Sequence, residues 1–170
     1  MKKILSIALA VLFVFSVMAA NAAITSPTTE IVAENSAAEA GFVFAVNDDE
    51  EAIAAANEEL AKAAEDVDAY FGEATEAAKA ITGNDELEIC EFAPFVVSGY
   101  TEDMGDIDVT LTTSTAFEDG QKVAVLVNVD GEWAALEGTG NADSGVDFTL
   151  DAETAKALSE AGETLVAIAL

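Results

Sequence analysis

Histidine and arginine are absent from this 170-residue chain, and six lysines face 33 aspartates and glutamates. Without histidine there is no base for a Ser-His-Asp or Cys-His nucleophile. One cysteine and no histidine leave no ordinary zinc ligand set. The single Cys90 also excludes an internal disulfide. A net charge of −27 repels nucleic acid and anionic membranes. It suits a cationic partner, a divalent ion or a salty medium. Aromatics are sparse too, with one Trp and two Tyr, fewer than a sugar-cleaving cleft normally displays. No catalytic residue, cofactor or metal ligand is assigned, and the chain reads as non-enzymatic.

Long apolar runs are confined to the start. Lys2 and Lys3 precede a near-continuous apolar stretch from Ile4 to Met18, and Ala20-Asn21-Ala22 has the small-x-small pattern of a signal-peptidase site. Residues 1–22 therefore read as a signal peptide and the protein as secreted. The run is too short and wrongly flanked for an ordinary membrane span, so no membrane insertion is expected once it is removed. Loss of Lys2 and Lys3 makes the charge two units more negative than −27.

Residues 23–46 read as a flexible leader ending in a short apolar run, Phe42 to Val46, whose Phe42 and Phe44 need cover. Residues 47–83 read as helical. Asn47 is the expected N-cap, with Asp48, Asp49 and Glu50 at the positive end of the dipole. Ile53, Ala56, Leu60, Ala63, Val67 and Tyr70 then recur on one stripe, continued by Ala74, Ala77, Ala78 and Ile81. Gly72 is expected to divide the segment into two helices, and Gly83 to end it.

From Asn84 the period changes to two, and residues 84–170 read as a β-sandwich domain. Leu87 to Val97 is a strand in which Pro94 marks an edge or a bulge. Cys90 sits inside that strand as a small buried hydrophobe. Ile107, Val109 and Leu111 alternate with polar residues, as do Val146, Phe148 and Leu150. Asp151 caps a short helix carrying Ala155, Leu158 and Ala161, closed by Gly162. Leu165 to Leu170 is apolar on both faces, as expected of a strand inside a sheet.

The strongest hairpin signal is Lys122 to Val129 followed by Asp130-Gly131 and Glu132 to Leu136. A two-residue loop sets Asn128 opposite Trp133, whereas a three-residue loop sets Trp133 opposite Val127. Gathering Val123, Val125, Val127 and Trp133 on one apolar face favours the three-residue loop, with Trp133 as a core anchor. The predicted fold class is α+β, mainly β: a helical segment followed by an antiparallel sandwich of immunoglobulin-like type with one short helix before the last strand.

The run Glu118 to Trp133 resembles a pattern in exported proteins of Gram-positive, Clostridia-like bacteria. There a Gly-x-x-Val-x-Val-Leu strand meets an Asp-Gly-x-Trp turn inside a small immunoglobulin-like domain. The resemblance covers about the last half of the chain, implies that fold and an extracellular setting, and carries over no catalytic residue.

Two clusters offer the hard oxygens that calcium requires: Asp103, Asp106 and Asp108 at a loop-to-strand junction, and Asn141, Asp143 and Asp147 around a turn. Neither has EF-hand spacing, and both fit ordinary turn chemistry. The functional expectation is a secreted or cell-surface interaction module for an unidentified protein or cell-wall partner. The alternative is a subunit of a polymeric surface structure that donates or accepts strands.

Overall fold

Alternation of apolar and polar residues builds eight strands in the computed structural model, which describes residues 30–170. They are β1 (Val32–Asn35), β2 (Val43–Val46), β3 (Ile89–Ser98), β4 (Ile107–Thr112), β5 (Lys122–Val129), β6 (Glu132–Gly140), β7 (Val146–Leu150) and β8 (Glu163–Ala169). Four α-helices accompany them among the described residues: α1 (Glu50–Glu65), α2 (Val67–Phe71), α3 (Glu73–Thr82) and α4 (Ala152–Ala161). The expected signal peptide and the first part of the expected leader lie outside the described residues.

The strands form one antiparallel sheet in the order β1-β4-β7-β6-β5-β8-β3-β2. Its terminal strands, β1 and β2, lie close together without sharing a ladder, so the sheet is nearly closed. The architecture is α+β and mainly β. The two separately bonded sheets expected of a sandwich are joined here by β6, which pairs with β5 along Glu132 to Thr139 and with β7 through Gly138, Thr139 and Gly140. Gly138 pairs with Val123 of β5 on one side and Phe148 of β7 on the other. A Cβ there would lie 2.8 Å from Val123 Cγ2 and 3.0 Å from Val146 Cγ1, so any larger residue would have to displace these valine side chains.

Strands β3, β5 and β8 are apolar on both faces because both faces are covered. The concave side holds Phe44, Phe95, Val97, Ile107, Leu111, Val125, Phe148 and Ile168, and α4 adds Ala155 and Leu158 to this cluster. The convex side of the same strands holds Phe92, Leu126 and Ala167 beneath Leu60, Ala63, Phe71 and Ala78 of the helices. Strand β8 lies between β5 and β3, the interior position expected for the late apolar run.

Several expectations are corrected by the geometry. The stretch assigned to a leader contains β1, which pairs with β4 from Val32↔Thr112 to Asn35↔Val109. A four-residue edge strand has too few inward positions to show a period. Phe42 and Phe44 are buried where β2 joins β3. Helix α1 is capped by Asp49, whose carboxylate accepts from Glu51 N at 2.9 Å, while Asn47 accepts from Asp49 N at 3.1 Å. The cap is thus two residues later than expected. The helical stretch breaks twice rather than once, because Asp66 accepts from Ala69 N at 3.0 Å and starts α2 before Gly72 starts α3.

The Asp130-Gly131 hairpin uses the two-residue loop, pairing Asn128 with Trp133 and Val129 with Glu132. Both loop residues have positive φ, +51° and +90°, as a type I′ turn demands. Trp133 therefore leaves the face of Val123, Val125 and Val127 and packs under the helices. The apolar pattern favoured the other register because β5 is apolar on both sides.

Pro94 lies opposite Leu165 of β8 in unbroken register, and the register shift in β3 lies between Ile89 and Glu91. The carbonyl of Pro94 accepts from Asn47 N at 2.8 Å, just past the end of β2. Its missing N–H thus faces Asn47, one residue past the β2 ladder, where proline is tolerated as at an edge.

Candidate functional site

Helices α1 to α3 cover the convex face over β3, β5 and β8, but they leave β4, β7 and the end of β6 open. Because Ile107, Val109 and Leu111 point inward, Asp108 and Thr110 point outward, and the same alternation presents Asp147 and Thr149 on β7. Thr139 and Glu137 of β6 complete this face, which forms a shallow groove of about 610 Å³.

The face is ordered by cross-strand hydrogen bonds. Thr149 Oγ1 donates to Asp108 Oδ1 at 2.8 Å, and Thr110 Oγ1 donates to Asp147 Oδ1 at 2.7 Å. Asn141 Nδ2 also donates to Asp147 Oδ1, at 3.0 Å. Glu137 pairs with Lys122 at the margin. The carboxylates are thereby oriented while their charge remains in water, an arrangement able to attract and register cations.

The residues considered for calcium do separate work. Asp106 Oδ1 accepts from Ala152 N at 3.0 Å and fixes the entry to α4. Asp103 lies in the 3-10 turn Glu102–Met104, where a hydrogen bond from Thr101 holds its carboxyl below the usual range. Asn141 Oδ1 accepts from Asp143 N at 3.1 Å and Gly145 N at 2.9 Å, closing its own turn. Of the two sets, Asp108 and Asp147 come together on the open face. Among the described residues no three acidic or cysteine side chains converge on a point where an ion would sit.

Glu91 was not singled out from the sequence. Ile89 and Phe92 both join the convex cluster, so the alternation of β3 breaks across Cys90 and Glu91 at the register shift. Glu91 is 1% exposed. Its Oε1 accepts from Ser114 Oγ at 2.7 Å and from Thr115 N at 2.5 Å, while its Oε2 is buried without a partner. The signal was present: an acid inside the apolar run Ile89 to Val97, at the point where the period slips. Cys90 is half-buried, and burial followed by the nearby charges of Glu88 and Glu91 pushes its thiol up to about 12. A thiol raised in this way stays protonated near neutral pH.

In comparisons with known proteins, no family model, no curated protein and no solved structure matches this chain.

Proposed function

We propose that the protein is a secreted, strongly acidic, non-enzymatic interaction module whose open face on β4, β7 and β6 docks a cationic partner outside the cell. The observation that carries this reading is the contrast between the two parts of the convex surface. Over β3, β5 and β8 that surface is apolar and roofed by helices, whereas over β4 and β7 it is polar, acidic and uncovered. A net charge of −27 steers cations toward it, and Asp108 and Asp147 are held in fixed orientations when they arrive. The resemblance of the Glu118 to Trp133 run to exported Gram-positive domains supports the extracellular setting and an immunoglobulin-like kinship.

The polymeric alternative rested on Phe42 to Val46 and the last strand as segments to donate. Both are used within this chain, β2 against β3 and β8 between β5 and β3. The interaction module is the reading the geometry favours.

A lysine-rich peptide titrated against the protein at low and high salt tests the proposal. Replacing Asp108 and Asp147 by Asn should weaken binding at least fivefold. The control pair Glu58→Gln and Glu65→Gln, which removes the same charge from exposed positions on α1, should change it less than twofold. Equal weakening by both pairs, or no salt-sensitive binding, overturns the assignment to this face.

A further inference from the structure

Strand β6 carries an edge that the sheet leaves unfinished. It pairs with β5 along Glu132 to Thr139, but on its other side β7 reaches only Gly138, Thr139 and Gly140. Strand β7 itself runs on to Leu150, bonded to β4, so β6 and β7 part beyond Gly138 and Phe148. Among the described residues no strand pairs with the rest of β6 on that side.

The backbone groups left open there follow from the ladder. Gly140 N donates to Gln121 O at 2.8 Å, and the Gly140 carbonyl accepts from Gly120 N at 2.9 Å, so Gly140 turns its backbone toward the β5 side. Alternation then turns Leu136 and Ala134 toward β5 and points the N–H and C=O of Trp133, Ala135 and Glu137 into the open side. Exposure agrees. Ala134 packs in the concave cluster and Ala135 in the convex one, yet both remain partly exposed, whereas their partners on β5, Val127 and Leu126, are fully buried. With both faces covered, what these alanines expose is the edge of the strand.

The parting strands open into the acidic groove, which Leu136 and Glu137 of β6 line together with Asp147 and Thr149 of β7. A strand laid along this edge would alternate its side chains between two surroundings. One set meets Ala134 and Leu136, and the other meets Glu137 and the outward acids Asp108 and Asp147. We propose, on the reading of the acidic face as a docking surface, that its cationic partner binds as an added β-strand along Trp133 to Glu137 of β6, through an extended segment alternating basic and small apolar residues. Main-chain bonds to Trp133, Ala135 and Glu137 hold the segment, and the acids select its charge. A second copy of this chain would bring a further −27 charges to the same groove, so like charge turns it away.

A short peptide alternating lysine and valine, added to the whole protein and followed by amide hydrogen exchange, tests this. In the free protein the amides of Trp133, Ala135 and Glu137 should exchange fast and those of Ala134 and Leu136 slowly. Saturating peptide should slow the first three at least about tenfold. Methylating the backbone nitrogens of either the lysines or the valines should abolish binding for one set and spare it for the other, because only one set faces β6. Ala135→Pro removes a donor that faces away from β5, so the protein should fold and bind the peptide about fivefold more weakly or worse. Should that variant not fold, the methylated peptides decide the point. Salt-sensitive binding that is lost on replacing Asp108 and Asp147 by Asn, yet tolerates both methylations and leaves the three amides exchanging, would overturn strand addition and keep the face as a docking surface. Absence of salt-sensitive binding overturns both. Slow exchange of those amides in the free protein would mean that this chain already pairs the edge. A mass that doubles with concentration in the native protein but not in Ala135→Pro would seat a second copy there. Either result overturns the proposal.

Discussion

Asn128 stands directly opposite Trp133 across the Asp130-Gly131 turn, and this pairing decides which side of the sheet the indole occupies. On the helix side it meets Phe71 edge-on with ring centroids 4.8 Å apart, with Tyr70 at 5.6 Å and Phe92 at 6.3 Å. Trp133 thus fastens α2 to the sheet. Trp133→Ala should cost about 3 kcal/mol in chemical denaturation, since it empties the centre of an aromatic cluster. The native indole should emit at shorter wavelength than free tryptophan and shift to the red when the helices detach.

Two glycines of the same hairpin should respond differently to alanine. At Gly131 the cost is conformational: φ is +90° and nothing lies within 4 Å of an added Cβ. Gly131→Ala should therefore destabilise by about 1 kcal/mol. At Gly138 the cost is steric, from Val123, Val125 and Val146 around the new methyl, and about 1–3 kcal/mol is expected. Urea unfolding of the two variants separates the effects.

Glu91 holds the loop between β4 and β5 through Ser114 and Thr115. Glu91→Ala leaves the Thr115 N–H without its acceptor and should cost about 1–3 kcal/mol. Thr115 should also exchange its amide proton faster than neighbouring strand residues. Glu91→Gln keeps an acceptor at the same place and should retain most of that protection.

Cys90 gives the protein an alkaline weakness. Its thiol is held near 12 in the fold, above the value of an exposed thiol, chiefly by burial. A raised folded value means that the associated stability is fully present below the unfolded value. It is lost as pH rises toward 12, because the unfolded chain releases this proton first. Denaturation midpoints should therefore fall above about pH 9, and Cys90→Ala should flatten that part of the curve. Iodoacetamide should label native protein far more slowly than unfolded protein at pH 8.

The charge imbalance should appear as a salt effect. With −27 formal charges, and the four lysines among the described residues already paired to Glu59, Asp68, Glu137 and Glu102, repulsion among the remaining acids opposes compaction. The melting midpoint should rise as sodium chloride increases from 10 mM to 500 mM, most steeply at the low end where screening changes fastest.

Much of this architecture was legible in the residues, and the failures have physical causes. Period-two segments such as Ile107 to Thr112 and Val146 to Leu150 announced half-buried strands, and Asp151 with Gly162 bounded α4. The apolar pattern does not settle the hairpin register, because a doubly apolar β5 accepts tryptophan on either face and the turn's demand for two positive φ angles decides it. Strand β1 is not legible in its own residues because only β4 supplies its reason to be extended. The open acidic face was half visible: Asp108 and Asp147 stood in separate candidate clusters, and the pairing of Thr110 with Asp147 unites them. Glu91 was hidden because a single acid in an apolar run looks outward until a register shift turns it under a loop.

The position of β8 sets the order in which the molecule can be completed. Strands β3 and β5 never bond each other; each bonds β8, which comes some thirty residues after β5 ends. Until that segment is in place, two partial ladders expose the very edges it will fill. The most distant pairings close last, and folding should be slow for a chain of this length. Such a chain remains threadable for longer than one whose sheet is built from successive hairpins.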